Sequence, residues 1–288
     1  MRAIDMHSHY STKKGYCEKN PEALARVKKV FRCEINYRTE QEMAEDLRRA
    51  EVKAIFDFGP FLYDLPIDEI KEYNDYAGQL VRDFPDVIIG FWAAGEPRYG
   101  RKGLRELERC LRDLGAVGMQ ASGMTRHLPV SDKEWWPFYE LCLEAKAPVL
   151  IMQGWGAAGA QHPGGKGFHI FDEHPMHTDK VAAKFPELTI IAARPAWPWQ
   201  NELIAVLLHK SNVWYELHGW LPKYYPPELK WDIARRLQDK IMWGADYPLI
   251  PYARHFKSWE EEGYKKEILD KILFKNAQRL FAYLGRKV

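Results

Sequence analysis

Three observations predict a closed (β/α)8 TIM barrel. Short apolar runs rich in β-branched and aromatic residues alternate eight times with longer stretches of helical periodicity, the pattern of a parallel sheet with crossover helices. The 288 residues accommodate that number of units in one domain, residues 1–288, without a Gly-, Ser- or Pro-rich linker to divide it. No G-x-G-x-x-G follows the first run, where an open doubly wound sheet usually has its glycine-rich turn.

In chain order the strands are expected at 3–6, 54–58, 87–92, 116–121, 149–152, 188–193, 213–217 and 241–243. The helices are expected at 39–51, 67–84, 104–114, 133–146, 178–185, 200–209, 228–237 and 265–274. Thr39 with Glu42 three residues on reads as a capping box opening the first helix, and Ser131 with Glu134 reads the same way before the fourth. Pro148 stops that fourth helix before the strand at 149. The connections after strands one and five, about residues 10–38 and 154–176, are far longer than the rest. Long loops on the C-terminal side of barrel strands are expected to build up an active-site mouth.

Composition narrows the function. With 46% hydrophobic residues the chain buries a sizeable core, which excludes disordered and fibrous classes. Its 42 Lys and Arg nearly balance 40 Asp and Glu, so a net charge of +2 offers no field for nucleic acid or an anionic membrane. No apolar run approaches the ~18 residues that span a bilayer. Cys17, Cys33, Cys110 and Cys142 lack C-x-x-C spacing, which predicts reduced thiols and a cytoplasmic setting, with Cys110 and Cys142 as packing residues. The expected partner is a small-molecule substrate, and the expected assembly is a homo-oligomer.

Strand one ends Asp5-Met6-His7-Ser8-His9, and period-two geometry sends Asp5, His7 and His9 to one face at the barrel mouth. Paired imidazoles beside a carboxylate commonly hold a divalent cation; hydrogen-bonded core histidines are the other reading. Strand eight leads into Gly244-Ala245-Asp246-Tyr247-Pro248, and closure of the barrel brings Asp246 beside strand one as a further ligand or a base, or else as a turn cap.

The Asp5-x-His7-x-His9 run, Trp197-Pro198-Trp199-Gln200-x-Glu202, Asn212-Val213, Gly219-Trp220 with Pro222-Lys223-Tyr224, Gly244-x-Asp246-Tyr247-Pro248 and Asn276-Ala277-x-Arg279-Leu280 together resemble the amidohydrolase-related family. The similar branch contains aminocarboxymuconate-semialdehyde decarboxylase, hydroxybenzoate decarboxylases, hydratases and lactonases. The resemblance spans essentially the whole chain. It implies a (β/α)8 barrel whose metal, zinc or manganese, is held by the two strand-one histidines, a strand-five histidine and the strand-eight aspartate, with a strand-six histidine as acid/base.

The chain departs from that pattern at three strand ends. Met152 stands at the strand-five ligand position, Arg194 at the strand-six histidine, and Gln120 where strand four often ends in lysine. A thioether is a poor ligand for such a cation, and Arg is no base. Arg194 is instead expected to clamp a substrate carboxylate; it either shares that anion with the metal or pairs with Asp246 in a metal-free site, or is a structural ion pair. His218, after strand seven, is the candidate for the missing acid/base role. His174 and His177 are possible replacement ligands, although Pro175-Met176-His177 reads better as loop anchoring, and His127, His162, His169, His209 and His255 are expected at the surface or in loops. Trp155, Trp197, Trp199, Trp220 and Tyr247 either wall a pocket for a planar substrate or seal loop and subunit packing.

The expected function is hydrolysis or decarboxylation of a small carboxylated cyclic or aromatic substrate. In it Asp5, His7, His9 and Asp246 hold a divalent metal, Asp246 and His218 do the chemistry, and Arg194, Gln120, Met152 and Trp155 bind substrate. The contrasting expectation is a catalytically inactive relative that keeps the barrel as a binding or partner subunit.

Overall fold

The computed structural model describes residues 2–16, 21, 25, 28–30, 36–58 and 62–286; Cys17 and Cys33 lie outside the described residues. Eight parallel strands form one sheet in sequential order: β1 Ala3–Ser8, β2 Val52–Asp57, β3 Ile88–Ala94, β4 Ala116–Ala121, β5 Val149–Met152, β6 Ile190–Ala193, β7 Val213–Leu217 and β8 Ile241–Trp243. The sheet closes where β1 meets the end of β8, through Asp246 N–H to His7 O at 3.0 Å and His9 N–H to Tyr247 O at 2.6 Å. The TIM barrel expected from the alternation is therefore the fold.

Helices follow the strands around the outside: α1 Glu40–Ala50, α2 Ile67–Asp83, α3 Arg101–Arg109, α4 Trp136–Glu144, α5 Pro175–Lys184, α6 Gln200–His209 and α7 Pro227–Ile233. After β8 come α8 Tyr252–Glu261, α9 Lys266–Asp270 and α10 Asn276–Tyr283, of which α8 and α10 were not anticipated. The expected last helix continues through a π turn, Lys271–Lys275, into α10. That continuation has a physical role, since Ala277, Leu280 and Phe281 pack into the same cluster as the barrel-interior residues Ile4, Met6, Ile55, Leu150, Ile191 and Met242. The family-like Asn276 and Arg279 serve this docking: Asn276 Nδ2 donates to Gln238 O at 2.9 Å and Ile241 O at 2.7 Å, and Arg279 Nη2 donates to Asp239 O.

Capping signals were partly right. Thr39 makes the reciprocal capping box with Glu42. Ser131 does not cap: Asp132 takes the Glu134 N–H at 2.9 Å at the start of a short 3-10 turn, while Ser131 Oγ bonds His177 Nδ1 at 2.8 Å. Cys110 and Cys142 are buried free thiols, in keeping with packing roles.

Strand one breaks its expected alternation. Ile4 and Met6 belong to the interior cluster, and the pairing with β2 shifts register between Asp5 and Ser8. The bulge resets the phase, so His7 reaches the mouth while Asp5 does not. Trp92 Nε1 donates to the Met6 carbonyl at 2.7 Å, satisfying an acceptor beside the irregular stretch.

His255 is the other correction: it is fully buried on α8, where Nδ1 accepts from Trp243 Nε1 at 3.1 Å and Nε2 has no partner. Burial lowers its pKa to about 4. Its neutral ring therefore favours the fold fully above the unfolded value near 6.5, and this contribution is lost as pH falls through 6.5 toward 4. Urea midpoints measured across that window should fall, and His255→Gln, which keeps an acceptor for Trp243, should flatten the slope by an amount worth about 3 kcal/mol at most. An unchanged slope would show that His255 is not the group responsible.

Candidate active site

The site lies at the C-terminal ends of the strands, in a cavity of about 90 Å³ lined by His7, His9, Gln120, Met152, Trp155, Glu173, Arg194, His218, Trp220 and Asp246 among others. Asp246 and Arg194 both occupy left-handed backbone, with φ of 59° and 63°. This is costly for residues with a Cβ, and here each is fixed by a strand-to-strand bond: Asp246 N–H to His7 O, and Arg194 N–H to Glu216 O at 2.8 Å.

His9 and Asp246 form the centre of the site. His9 Nδ1–H donates to the Asp57 carbonyl at 2.7 Å, which turns Nε2 to Asp246 Oδ1 at 3.0 Å. Burial alone would depress the His9 pKa, but the hydrogen bond and charge of Asp246 outweigh it and raise the value to about 9; reciprocally, His9 lowers Asp246 in spite of burial. His7 sits between two other rings, at 5.1 Å and nearly perpendicular to His9 and stacked at 3.6 Å on His218. Burial, then the neighbouring cationic groups, pushes its pKa well down, so the ring is neutral. Its Nε2 faces Asp57 Oδ2 at 3.6 Å, and its buried Nδ1 has no hydrogen-bond partner among the described residues.

Ligand atoms of His7, His9 and Asp246 lie within 4.8 Å of one another, and those of His7, Glu216 and His218 form a second such group. Asp5, expected as a ligand, is in neither. Its Oδ1 accepts from Ala245 N–H at 2.9 Å and His7 N–H at 3.1 Å, and its Oδ2 from Ser8 Oγ, so it ties β1 to the end of β8.

Just after β7, His218 Nδ1–H donates to Oε2 of Glu216 on that strand at 2.7 Å. Glu216 is fully buried, and burial raises its pKa against the opposing His218. Glu216 and His218 share a strand face at period two, a signal readable in Glu216-Leu217-His218 that sequence reasoning passed over for Glu216. Gly244 makes room for this pair: a Cβ there would lie 1.9 Å from Glu216 Oε1.

Arg194 does not pair with Asp246. Its Nε donates to Gln153 O at 2.8 Å, and its Nη2 bonds Glu173 Oε2, leaving Nη1 without a partner among the described residues. Glu173 comes from the long loop after β5, where no pattern marked it. Gln120 lines the cavity with its amide oxygen buried and unpartnered, and Met152 contributes an apolar wall. Of the aromatics, Trp155 and Trp220 line the cavity. Trp199 packs at a tilt against His174, Tyr247 stacks on Tyr252 with its hydroxyl on Ser11 and Asp46, and Trp197 is half exposed. His174 Nδ1 caps α5 by accepting from Met176 N–H, and with His177 bound to Ser131 neither histidine enters the site.

Comparison with known proteins agrees with this fold. The chain matches the amidohydrolase family over residues 4–282 and belongs to it. A 2-keto-4-carboxy-3-hexenedioate hydratase from a Sphingobium species is 28% identical over 128 residues, 41% of this chain and only 38% of that relative's length. Among solved structures, an uncharacterized TIM-barrel protein from Bordetella bronchiseptica superposes with a TM-score of 0.75 at 20% identity, covering 99% of this chain and 100% of that one. A 5-carboxyvanillate decarboxylase from Novosphingobium aromaticivorans, crystallised with manganese, gives 0.71 at 17% identity, covering 97% and 96%.

The residues present fit a divalent cation of that kind. Two imidazoles and a carboxylate are a borderline-to-hard donor set, His7 offers a buried nitrogen with no partner, and the Asp57 carbonyl fixes the His9 tautomer that leaves Nε2 to a ligand role. Gly244→Ala should cost about 1–3 kcal/mol of stability by overpacking against Glu216, read as a lowered denaturant midpoint; an unchanged midpoint would mean that Glu216 has room to move.

Proposed function

We propose that the chain is an enzyme that decarboxylates or hydrolyses a small carboxylated cyclic or aromatic substrate in the cavity at the barrel mouth. The observation that carries this reading is the convergence there of a His7–His9–Asp246 group, a Glu216–His218 dyad and Arg194. An inactive binding relative would have no need of that set around an open cavity.

His7, His9 and Asp246 would hold zinc or manganese. When bound, such a cation supplies Lewis-acid polarisation of a substrate oxygen. The chain's own groups do the rest. Glu216 fixes the His218 tautomer, so that His218 Nε2 is the atom that takes or gives a proton. Arg194 Nη1 receives a substrate carboxylate, and Gln120, whose amide oxygen is buried without a partner among the described residues, recognises a second polar group on the ring. Met152, Trp155 and Trp220 wall the planar part of the ligand and exclude water. The finer choice between C–C cleavage and hydrolysis turns on whether His218 protonates a ring carbon or activates water.

Incubation of manganese- or zinc-loaded protein with a panel of carboxylated aromatic acids and lactones, followed by carbon dioxide release and chromatography, tests the reading. Turnover is expected, and Asp246→Asn should lower it at least ~100-fold in a folded protein. Full turnover in folded Asp246→Asn would place the chemistry elsewhere, and loss of fold would make Asp246 a structural residue of the seam. Arg194→Lys should raise the KM for a carboxylated substrate more than it lowers kcat, because a planar fork is replaced by a point charge; an unchanged KM would remove Arg194 from substrate binding.

A further inference from the structure

Glu173 is a buried carboxylate in the cavity wall, 2% exposed, at the end of the turn Ile170–Glu173. Its Oε1 accepts from Ser122 Oγ at 2.6 Å, its Oε2 is bonded to Arg194 Nη2, and its main-chain carbonyl accepts from Gly154 N–H at 2.8 Å. The charged groups that face it are Arg194 at the end of β6, Arg126 in the single helical turn Gly123–Arg126 after β4, and Asp172 on its own turn. Arg126 is already matched by Glu96 at 2.7 Å, so Arg194 is the cation that balances Glu173. The same cavity is lined by His7, His9, His218 and Asp246.

A carboxylate that arrives at Arg194 Nη1 thus shares one guanidinium with Glu173. Two carboxylates on a single cation, in a wall from which water is largely excluded, do not both keep their charge; one of them is protonated. Glu173 is the fully buried member, and burial already raises its pKa against the pull of Arg194.

Resting on the reading of Arg194 as the carboxylate site, we propose that a ring carboxylate binds there together with one proton from solvent, which Glu173 holds while Arg194 changes partner. The charges balance. Before binding, the Arg194 cation is matched by the Glu173 anion; afterwards it is matched by the ligand anion, and Glu173 is a neutral acid whose hydroxyl hydrogen is donated to Ser122 Oγ or to the ligand. No bond other than O–H forms or breaks. Glu173 is therefore a specificity residue: it makes the site accept a carboxylate in protonation-linked fashion and a neutral isostere without any such linkage.

Isothermal titration of the purified chain with benzoate and with benzamide, each in phosphate and in Tris at one pH, counts the protons taken up. With benzoate about one proton is expected and with benzamide none, and above the Glu173 titration the benzoate affinity should fall tenfold per pH unit. Glu173→Gln keeps an acceptor for Arg194 and a partner for Ser122; it should bind benzoate with no proton uptake and with affinity independent of pH. Benzoate binding without proton uptake in the parent, or equal uptake in Glu173→Gln, overturns the proposal and leaves Arg194 as a carboxylate site. Benzamide binding with no benzoate binding overturns the Arg194 reading as well, and binding of neither overturns the ring-binding pocket itself.

Discussion

The barrel closes through residues that line its candidate site. Asp246 and His9 contribute backbone N–H groups to the β1–β8 seam, and their side chains meet at 3.0 Å just above it. Asp5 adds a side-chain bond across the same seam to Ala245. Strand closure and site geometry are consequently one constraint: a shift of one residue at the seam would turn His7, His9 and Asp246 away from the mouth together. This also explains why a residue with a Cβ tolerates left-handed backbone at position 246, where relaxing the turn would open the seam.

Charge pairing organises the rest of the cavity. Asp57, Glu173, Glu216 and Asp246 are all buried, an arrangement that low-dielectric surroundings allow only with compensation. Three have their own, the imidazole of His9 for Asp246, His218 for Glu216 and Arg194 for Glu173, while Asp57 faces the neutral ring of His7 and shares the charge of His9. A divalent cation among His7, His9 and Asp246 would take the place of the proton on His9 and strengthen that compensation. Arg194 is held by Glu173 and the Gln153 carbonyl, turned toward the loop after β5 and not paired with Asp246, although its charge still reaches His7.

The architecture was legible in the sequence because eight apolar runs alternate with stretches of helical periodicity, and four of the expected strands, β4, β5, β7 and β8, have the observed limits. His7, His9, Asp246, Arg194, His218, Gln120, Met152 and Trp155 were all placed at the mouth by their positions at strand ends or in the loop that follows, and all line one cavity. Asp5 was misplaced because alternation assumes an unbroken strand, and a bulge leaves no mark in Asp5-Met6-His7-Ser8. Glu216 was within reach of alternation, two residues before His218, which was singled out by its place just after strand seven. Glu173 was not, since a carboxylate in a 23-residue-scale loop has no period to locate it, and only the tertiary contact with Arg194 gives it meaning. His255 was expected at the surface or in a loop because no helix was anticipated over Tyr252–Glu261, and without the helix no buried face was assigned to it.

Metal content tests the account's central claim most directly. After exposure to manganese or zinc and removal of free ion, elemental analysis of the parent chain should find about one equivalent of divalent metal, and Asp246→Asn and His9→Gln should each lose most of it while remaining folded. No bound metal in the parent, or the same amount in both folded variants, would contradict the assignment of His7, His9 and Asp246 as the ligand set.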